Sequence, residues 1–254
     1  MKDTKRKPIL NSYVDALTMR ETISIIENNI ERRLPVQHVV INASKILLME
    51  KNENLRRIVE SCGLINADGA SILWAGKILG IDIPERVTGI DLFLNLIELS
   101  NRKGYRIFLF GATEDVIMQV KQTFLSQYKN LNIVGTVNGY FSKEDEGEIV
   151  KKIADSNADM LFVAFSSPKK EFWINEYFDE LKVPFVMGVG GSFDVVAGKT
   201  KRAPKWMQKF GMEWFYRFIQ EPRRMWKRYI VGNLVFIFYT FKEKIRATLT
   251  TNKE

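Results

Sequence analysis

The chain has 254 residues, enough for one large domain with an appendage or for two small domains. Hydrophobic residues make up 46% of it, so a proper core is possible, while the single cysteine excludes an intrachain disulfide and the single histidine excludes a multi-histidine metal site. The formal net charge is +8, but residues 199–254 alone hold 14 Lys or Arg against four Asp or Glu, so positive charge is concentrated at the C-terminal end.

Short apolar runs alternate with helical patterns along the first 198 residues. We predict strands over residues 38–43, 64–67, 105–111, 132–137, 159–165 and 183–189. Between them we predict helices over residues 45–60, 70–79, 90–102, 114–128, 143–155 and 169–181. Continuous apolar strands separated by helices indicate an α/β fold, with a mainly parallel sheet covered by helices on both faces.

The remaining residues predict a helical appendage. Residues 204–219 and 222–241 have helical patterns, and each begins at a proline, a residue that is well tolerated in the first turn of a helix. We therefore divide the chain into a body, residues 1–198, and an appendage, residues 199–254.

The appendage interleaves cations with aromatic rings, including Trp206, Trp214 and Trp226. This pattern is typical of segments that bind the anionic cytoplasmic surface of a membrane. Its longest apolar run, residues 230–241, is shorter than the ~17–25 residues that span a bilayer. The lone Cys62 fits a reducing compartment, and no secretory signal follows the basic first residues. We expect a cytoplasmic protein, peripheral on the inner face of the cell membrane.

Polar or glycine residues follow several of the predicted strands. In an open parallel sheet, ligands bind in the crevice beyond the carboxyl ends of the strands, so these residues should share one site. They are Asn42, Asp68, Gly69, Gly111, Ser166, Ser167, Gly190 and Gly191.

Asp68 follows an apolar strand and precedes a glycine, where partial desolvation would raise its pKa and suit it to act as a general base. The alternative is that Asp68 caps the helix predicted over residues 70–79, since aspartate is a favoured N-cap. Arg86, in a loop, can hold a phosphate through two parallel hydrogen bonds, or can be an ordinary solvated charge. Gly190 and Gly191 either admit a diphosphate to backbone N–H groups or only form a tight turn.

Four segments, taken together, resemble one protein family. They are ADGAS at 67–71, ERVTGIDL at 85–92, GVGGSFDVVAGKTKRAP at 188–204 and EWFYRFIQEPRR at 213–224. In this order they resemble the WecG/TagA/CpsF glycosyltransferase family, over about residues 10–230.

The resemblance implies a Rossmann-like body and transfer of a sugar from a UDP-sugar to a lipid-linked diphospho-sugar, typically undecaprenyl-diphosphate-N-acetylglucosamine. The donor sugar would be N-acetylmannosamine or its uronic acid, the anomeric centre would be inverted, and no metal or other cofactor would take part. The absence of an Asp-x-Asp pair, which many sugar-nucleotide enzymes use to hold a divalent cation, agrees with this. The appendage would help to complete the site and meet the membrane, and the chain would self-associate.

The resemblance also assigns roles to residues. Asp68 matches the proposed base, Asn42 an asparagine at the end of the first core strand, and Arg86 an arginine near the donor. The arginines of the appendage that match residues thought to reach the diphosphates are Arg217, Arg224 and Arg228.

Two positions depart from the family's pattern. Val40 replaces a threonine, which removes a hydroxyl, and Lys170 replaces a glutamine, which adds a positive charge. Lys170 would pair with an anionic sugar or with the diphosphate, unless it is a surface position that has drifted.

Other functions are less well supported by the residues. A nicotinamide-dependent oxidoreductase would need a full glycine fingerprint early in the chain, which is missing. A nucleic-acid-binding protein would spread its cations over a face or groove, whereas here they cluster with tryptophans and an apolar run. A non-catalytic, membrane-associated scaffold in polysaccharide assembly remains the alternative to a transferase.

Overall fold

A six-stranded parallel sheet forms the centre of the computed structural model, which describes residues 5–251 except for the side chains of residues 224, 228, 250 and 251. An antiparallel hairpin precedes the sheet. The strands are β1 (Arg6–Ile9), β2 (Ser12–Asp15), β3 (Val36–Ile41), β4 (Leu64–Ala67), β5 (Arg106–Gly111), β6 (Asn132–Val137), β7 (Met160–Ala164) and β8 (Phe185–Gly188).

The helices of the body alternate with these strands, and the helices of the appendage follow them. They are α1 (Met19–Glu31), α2 (Ala43–Lys51), α3 (Glu53–Ser61), α4 (Ala70–Leu79), α5 (Gly89–Lys103), α6 (Glu114–Gln127), α7 (Glu146–Asp155), α8 (Lys169–Leu181), α9 (Ser192–Val196), α10 (Lys205–Lys209), α11 (Glu213–Gln220), α12 (Pro222–Trp226) and α13 (Gly232–Thr251). A π-helical turn, Lys227–Val231, joins α12 to α13.

The sheet has the strand order β4-β3-β8-β7-β5-β6, and every neighbouring pair is parallel. The carboxyl ends of all six strands therefore lie at one edge, which is where an open α/β sheet binds ligands. The hairpin β1–β2 covers the outer edge of β4, because the carboxylate of Asp15 accepts a hydrogen bond of 2.7 Å from the backbone N–H of Ile65. Arg6 holds the same carboxylate at 2.7 Å.

Alternate side chains of each strand enter cores on opposite faces of the sheet. On one face, α1, α5 and α6 pack against residues such as Leu109 and Phe162. On the other face, α7 and α8 pack against Phe108 and Leu161, while α2, α3 and α4 pack against the strands at the far end of the sheet. The α/β class with helices on both faces, predicted from the sequence, is confirmed.

The appendage packs against the body along α13 and at the turn between α10 and α11. Helix α13 packs across α2 and α4, and its Phe236, only 1% exposed, enters the core that these helices form. Nearer the site, the turn between α10 and α11 rests on the first residue of α4: a methyl group placed at Gly211 would lie 2.6 Å from Cβ of Ala70.

Several predicted elements differ from those observed. The helix predicted over residues 45–60 is divided at Asn52, whose side chain accepts from the N–H of Leu55 at 2.9 Å and so starts α3. The helix predicted over 204–219 is divided at Gly211, which has a φ of +70° that ends α10. The last predicted helix, 222–241, is observed as α12 and α13 with the π-helical turn between them, and α13 continues to Thr251.

The hairpin and α1 were not predicted. Each strand of the hairpin has only four residues, too few to give a clear alternation. The start of α1 carries a recognisable signal, since Thr18 and Glu21 form a capping box. Within the described part of the chain, no helix has the length and apolarity to cross a bilayer.

Candidate active site

Asn42 and Asp68 lie side by side at the carboxyl edge of the sheet. They follow neighbouring strands, in which Ile41 is paired with Ala67, and the backbone N–H of Asp68 donates to the carbonyl of Ile41 at 2.8 Å. Asn42 caps α2, since its side-chain oxygen accepts from the N–H of Lys45 at 3.0 Å. The structure thus brings these two predicted site residues together.

The carboxylate of Asp68 is half-buried and makes no hydrogen bond with any described residue. The N-cap of α4 is Gly69, and no side chain caps this helix, so the interpretation of Asp68 as a helix cap is wrong. Burial raises the pKa of Asp68 to about 6. A carboxyl group whose pKa lies close to neutral pH, and whose oxygens are uncommitted, is well suited to take a proton from a substrate.

Four charged side chains act on the ionisation of Asp68. Arg86 and Lys45 lower its pKa, while Glu213 and Asp91 raise it, and desolvation outweighs each of them. Three of these residues belong to the body, Lys45 in α2, Asp91 in α5 and Arg86 in the loop before α5, while Glu213 belongs to α11 of the appendage. The environment of the candidate base is therefore shared between body and appendage.

Arg86 is held by the appendage. Its Nη1 lies 3.2 Å from Oε2 of Glu213, and its Nη2 donates to the backbone carbonyl of Gln208 at 3.0 Å. The side chain is only 20% exposed, so the interpretation of Arg86 as a solvated loop charge is wrong. Its predicted contact with the donor stays a prediction.

The ion pair of Arg86 belongs to a longer chain of charges. The second carboxylate oxygen of Glu213 lies 3.3 Å from Nε of Arg202, and Nη2 of Arg202 lies 2.6 Å from Oδ1 of Asp91. Charges of opposite sign thus alternate from the loop before α5, through α11 and the segment before α10, back to the first turn of α5.

Gly190 and Gly191 form the turn between β8 and α9. Gly190 has a φ of +53°, in the left-handed region that favours glycine, so the tight turn predicted at these two glycines is observed. Arg217 of α11 meets this turn: a methyl group placed at Gly191 would lie 3.1 Å from Nη2 of Arg217. The Nε of Arg217 is buried without a hydrogen-bond partner among the described residues. A cation of the appendage thus faces the glycine turn of the body with an unused donor.

The packing of two neighbouring strands explains why residue 111 is a glycine. Its φ is +109°, and a methyl group there would lie 2.9 Å from the carbonyl carbon and oxygen of Ala164 on β7. The glycine is therefore required by the close approach of two strands, and its predicted contact with substrate stays a prediction. The side chains of Arg224 and Arg228 lie outside the described part of the structure, so their predicted roles are equally open to test.

His38 does not belong to the site. It lies inside the sheet, its Nε2 is 3.0 Å from Oδ1 of Asn66, and burial lowers its pKa to about 4. Burial also raises the pKa of the Cys62 thiol to about 12. In the part of the chain that the structure describes, no three His, Cys, Asp or Glu side chains are grouped so as to hold a metal ion.

Comparison with known proteins identifies the family to which the chain belongs. The model of the glycosyl transferase WecG/TagA/CpsF family matches residues 7–250. The chain belongs to this family. It is also 34% identical, over 219 residues that cover 86% of this chain and 81% of the relative, to N-acetylglucosaminyldiphosphoundecaprenol N-acetyl-beta-D-mannosaminyltransferase of Bacillus subtilis (strain 168). An enzyme of the same name from Bacillus spizizenii is 34% identical over 178 residues, 70% of this chain and 68% of the relative.

As a member of the WecG/TagA/CpsF family the protein is a glycosyltransferase, and its two departures from the family's pattern have different structural consequences. Val40 is half-buried and faces the start of α5, where a methyl group placed at Gly89 would lie 3.8 Å from both of its γ-carbons. The lost hydroxyl is thus replaced by apolar contact.

Lys170 is buried, so its interpretation as a drifted surface position is wrong. Its Nζ lies 2.7 Å from Oε1 of Glu171 and also binds Ser167. Glu171 pairs in addition with the buried Lys45 of α2. Burial acts to raise the pKa of Glu171, but the two ammonium groups outweigh it and hold that pKa well below its usual range. Two lysines therefore share one carboxylate beneath the site.

The sequence reasoning missed four charged residues, although each stands in or beside a segment that was recognised. Glu213, Asp91 and Arg202 lie inside the family segments, and Lys45 lies three residues after Asn42. What the sequence could not indicate is that Glu213 reaches Arg86 and that Arg202 reaches Asp91, because the partners of each pair are more than one hundred residues apart along the chain.

Proposed function

We propose that this protein transfers N-acetylmannosamine, or its uronic acid, from a UDP-sugar to a membrane-bound diphospho-sugar of the undecaprenyl-diphosphate-N-acetylglucosamine type. The names of the two relatives, which describe transfer of an N-acetyl-beta-D-mannosaminyl group with N-acetylglucosaminyldiphosphoundecaprenol, support the acceptor and the donor sugar. Such a transfer belongs to the synthesis of cell-surface polysaccharide or teichoic acid.

The observation that carries the proposal is the uncommitted carboxylate of Asp68 at the carboxyl edge of the sheet. The acceptor hydroxyl oxygen attacks the anomeric carbon of the donor sugar while Asp68 takes the hydroxyl proton. The bond between that carbon and the UDP oxygen breaks on the opposite face, so the anomeric configuration inverts in one displacement. A base with a pKa of about 6 is mostly ionised at neutral pH and can accept the proton.

The departing diphosphate gains negative charge, which must be stabilised. Arg217, which has an unused Nε donor, lies against the Gly190–Gly191 turn, and in this proposal the guanidinium and the backbone N–H groups of the turn bind the diphosphate. Arg224 and Arg228 follow Arg217 along the appendage as further cations for the two diphosphates. With arginines in this role no divalent cation is required, so we expect turnover to persist in EDTA.

The appendage gives the protein a surface for the bilayer. Exposed apolar side chains of α13 recur at helical spacing along one face; they are Leu234, Phe238, Phe241, Ile245 and Leu249. We call this face the α13 ridge. Lys242 and Arg246 accompany it, which suits an interface with apolar chains below and anionic headgroups above. The protein would then be peripheral on the inner face of the cell membrane, where nucleotide-activated sugars are available.

The test is UDP release against a panel of UDP-sugars, with a short-chain lipid-diphosphate-N-acetylglucosamine as acceptor. We expect release with UDP-N-acetylmannosamine or its uronic acid, dependence on the acceptor, and loss of most turnover in Asp68→Asn. The control is Asp82→Asn, because Asp82 is an exposed aspartate in a loop beyond α4.

Two outcomes would overturn the proposal. Near-normal turnover in Asp68→Asn would remove the assigned base. Absence of turnover with every donor, while vesicles still bind the protein, would favour the alternative of a non-catalytic scaffold. Self-association of the chain stays a separate prediction, which sedimentation velocity tests.

A further inference from the structure

Glu213 occupies the centre of the contact between appendage and body. It is one of four acidic residues among the 56 residues of the appendage, and both of its carboxylate oxygens are engaged: Oε2 lies 3.2 Å from Arg86 and Oε1 lies 3.3 Å from Arg202. Arg202 is paired in turn with Asp91 at 2.6 Å. One carboxylate therefore joins a loop of the body to α11 and to the first residues of the appendage.

This is not an ordinary surface ion pair. The side chains of Arg86, Arg202 and Glu213 are 20%, 22% and 24% exposed. Exposed pairs contribute on the order of 0–1 kcal/mol, whereas removing one partner from a partly desolvated pair leaves an uncompensated charge and costs more. Loss of the Glu213 carboxylate would remove the acidic partner of Arg86 and would leave Arg202 with Asp91 alone.

The position of Glu213 determines where Arg217 lies. The two residues are four apart on α11, so they stand one above the other on the same face of the helix. When Glu213 is held between Arg86 and Arg202, Arg217 is placed against Gly191. Gly211, two residues before Glu213, rests on Ala70 at the start of α4 and fixes the other end of the contact.

We propose that Glu213 is the positioning residue of the site, the carboxylate that seats the appendage on the body so that Arg217 faces the Gly190–Gly191 turn. Glu213 touches neither donor nor acceptor in this proposal. It acts through Arg86 and Arg202, and its effect on catalysis rests on the proposed function of Arg217 and Asp68.

Seating Glu213 also brings a negative charge close to Asp68. The charged groups that act on Asp68 are Arg86, Lys45, Glu213 and Asp91, and Glu213 is the one that the appendage supplies. Its negative charge disfavours ionisation of Asp68, so removal of that charge should lower the pKa of Asp68. Docking of the appendage would therefore make the base stronger at the moment when Arg217 reaches the glycine turn.

Hydrogen exchange measured by mass spectrometry on the full-length chain, without substrate, is the first test. In Glu213→Gln we expect amides of α11 to exchange about tenfold faster than in the unmodified protein, a change equivalent to about 1.4 kcal/mol. Glu243→Gln, which removes an acidic residue from α13, is the matched control and should leave exchange in α11 unchanged. Arg202→Gln breaks the same contact from its other side and should increase exchange in the same segment.

The second test titrates Asp68 by carbon-detected NMR of the full-length protein labelled at aspartate carboxyl groups, with Asp68→Asn identifying the signal. We expect the pKa of Asp68 to fall in Glu213→Gln and to stay unchanged in Glu243→Gln. Arg202→Gln, which loosens the same contact, should also lower the pKa of Asp68, because Glu213 then lies farther from it.

Unchanged exchange in α11 of Glu213→Gln would overturn the proposal, and so would an unchanged pKa of Asp68 in that variant. Neither readout uses UDP-sugar or lipid. The positioning role can therefore fail while sugar transfer is observed, or hold while the assigned substrates prove wrong.

Discussion

At the scale of single residues, opposing effects set the ionisation of Asp68. Burial raises its pKa to about 6, while the cations Arg86 and Lys45 limit the rise. A carboxylate that made hydrogen bonds of its own would have a lower pKa and would be a weaker base. Because Asp68 makes no such bonds with the described residues, its ionisation lowers the stability of the fold. The same absence keeps its pKa high enough for proton transfer.

This loss of stability predicts that Asp68→Asn stabilises the protein in a pH-dependent way. Because the pKa in the folded state lies above the unfolded value of about 3.9, ionisation of Asp68 destabilises the fold progressively as pH rises from about 4 through 6. At pH 8 we expect the variant to be about 1–2 kcal/mol more stable, after allowance for partial exposure, with a melting temperature higher by roughly 2–6 °C.

Thermal unfolding of both proteins between pH 3.5 and 8 measures the difference. It should shrink to nothing below about pH 4, where Asp68 is protonated in both states. A variant that is less stable than the unmodified protein at pH 8 would mean that Asp68 holds the fold together and is not a strained base.

At the scale of elements, the turn between α10 and α11 is shaped by a glycine that has no room for a side chain. Gly211 has a φ of +70° and Cβ of Ala70 lies 2.6 Å from where its own Cβ would be. Gly198, the last residue of the body, has a similar φ of +76° but open space around it. A substituted side chain would strain the backbone at both positions, but only at Gly211 would it also collide with a neighbouring residue.

We therefore predict that Gly211→Ala disturbs the site and Gly198→Ala does not. Both substitutions should cost about 1 kcal/mol of stability through backbone strain. Only Gly211→Ala should also lift α10 and α11 from α4, measured as faster hydrogen exchange in α11 and lower turnover. Equal effects of the two substitutions would mean that the contact with Ala70 is unimportant.

Helix α13 has two faces with different tasks. Phe236 is 1% exposed and belongs to the core formed by α2 and α4, whereas Phe238, two residues later, is 70% exposed on the α13 ridge. The same residue type thus stands on both faces of one helix, which makes a matched pair of substitutions possible.

We predict that Phe236→Ala lowers the free energy of unfolding by about 3–5 kcal/mol, because it leaves a cavity in a packed core. Phe238→Ala should leave stability almost unchanged and weaken binding to anionic vesicles. Chemical denaturation and vesicle sedimentation separate the two effects. Full vesicle binding by Phe238→Ala would argue against the α13 ridge as the membrane surface.

At the scale of the whole molecule, charge is separated along the chain. The body is close to neutral, whereas residues 199–254 carry a net charge of +10. Each Lys or Arg near an anionic bilayer contributes about 1 kcal/mol of attraction, which salt screens. The apolar contribution of the α13 ridge does not depend on salt in this way.

Binding to vesicles that contain anionic lipid should therefore weaken steeply between 0.1 and 1 M NaCl, as the Debye length falls from about 10 Å to about 3 Å. A fraction of the binding, contributed by the apolar α13 ridge, should persist at high salt. Neutral vesicles should bind the protein only to this lower extent. Cosedimentation with vesicles measures the dependence of binding on salt and on lipid charge. Binding that depends on neither would contradict an electrostatic role for the appendage.

Much of the candidate site could be predicted from the sequence, because local patterns determine where a strand ends. The apolar runs before Asn42 and Asp68 place both residues at the same edge of a parallel sheet, and the parallel arrangement follows from the alternation of strands and helices. The short hairpin β1–β2 and the breaks at Asn52 and Gly211 were missed, since single side-chain caps and backbone angles interrupt patterns that extend over them.

The amino-acid sequence alone determined the α/β class, the candidate base and the basic character of the appendage, since each depends on neighbours along the chain. Only the tertiary structure decided that Arg86 is bound by Glu213, that Lys170 is buried with Glu171, and that Arg217 meets the glycine turn. The partners in the first and last of these contacts are widely separated along the chain, and the burial of Lys170 depends on strands and helices from elsewhere in it. Such contacts depend on how the helices and strands pack against one another. This packing cannot be inferred from a local pattern of residues.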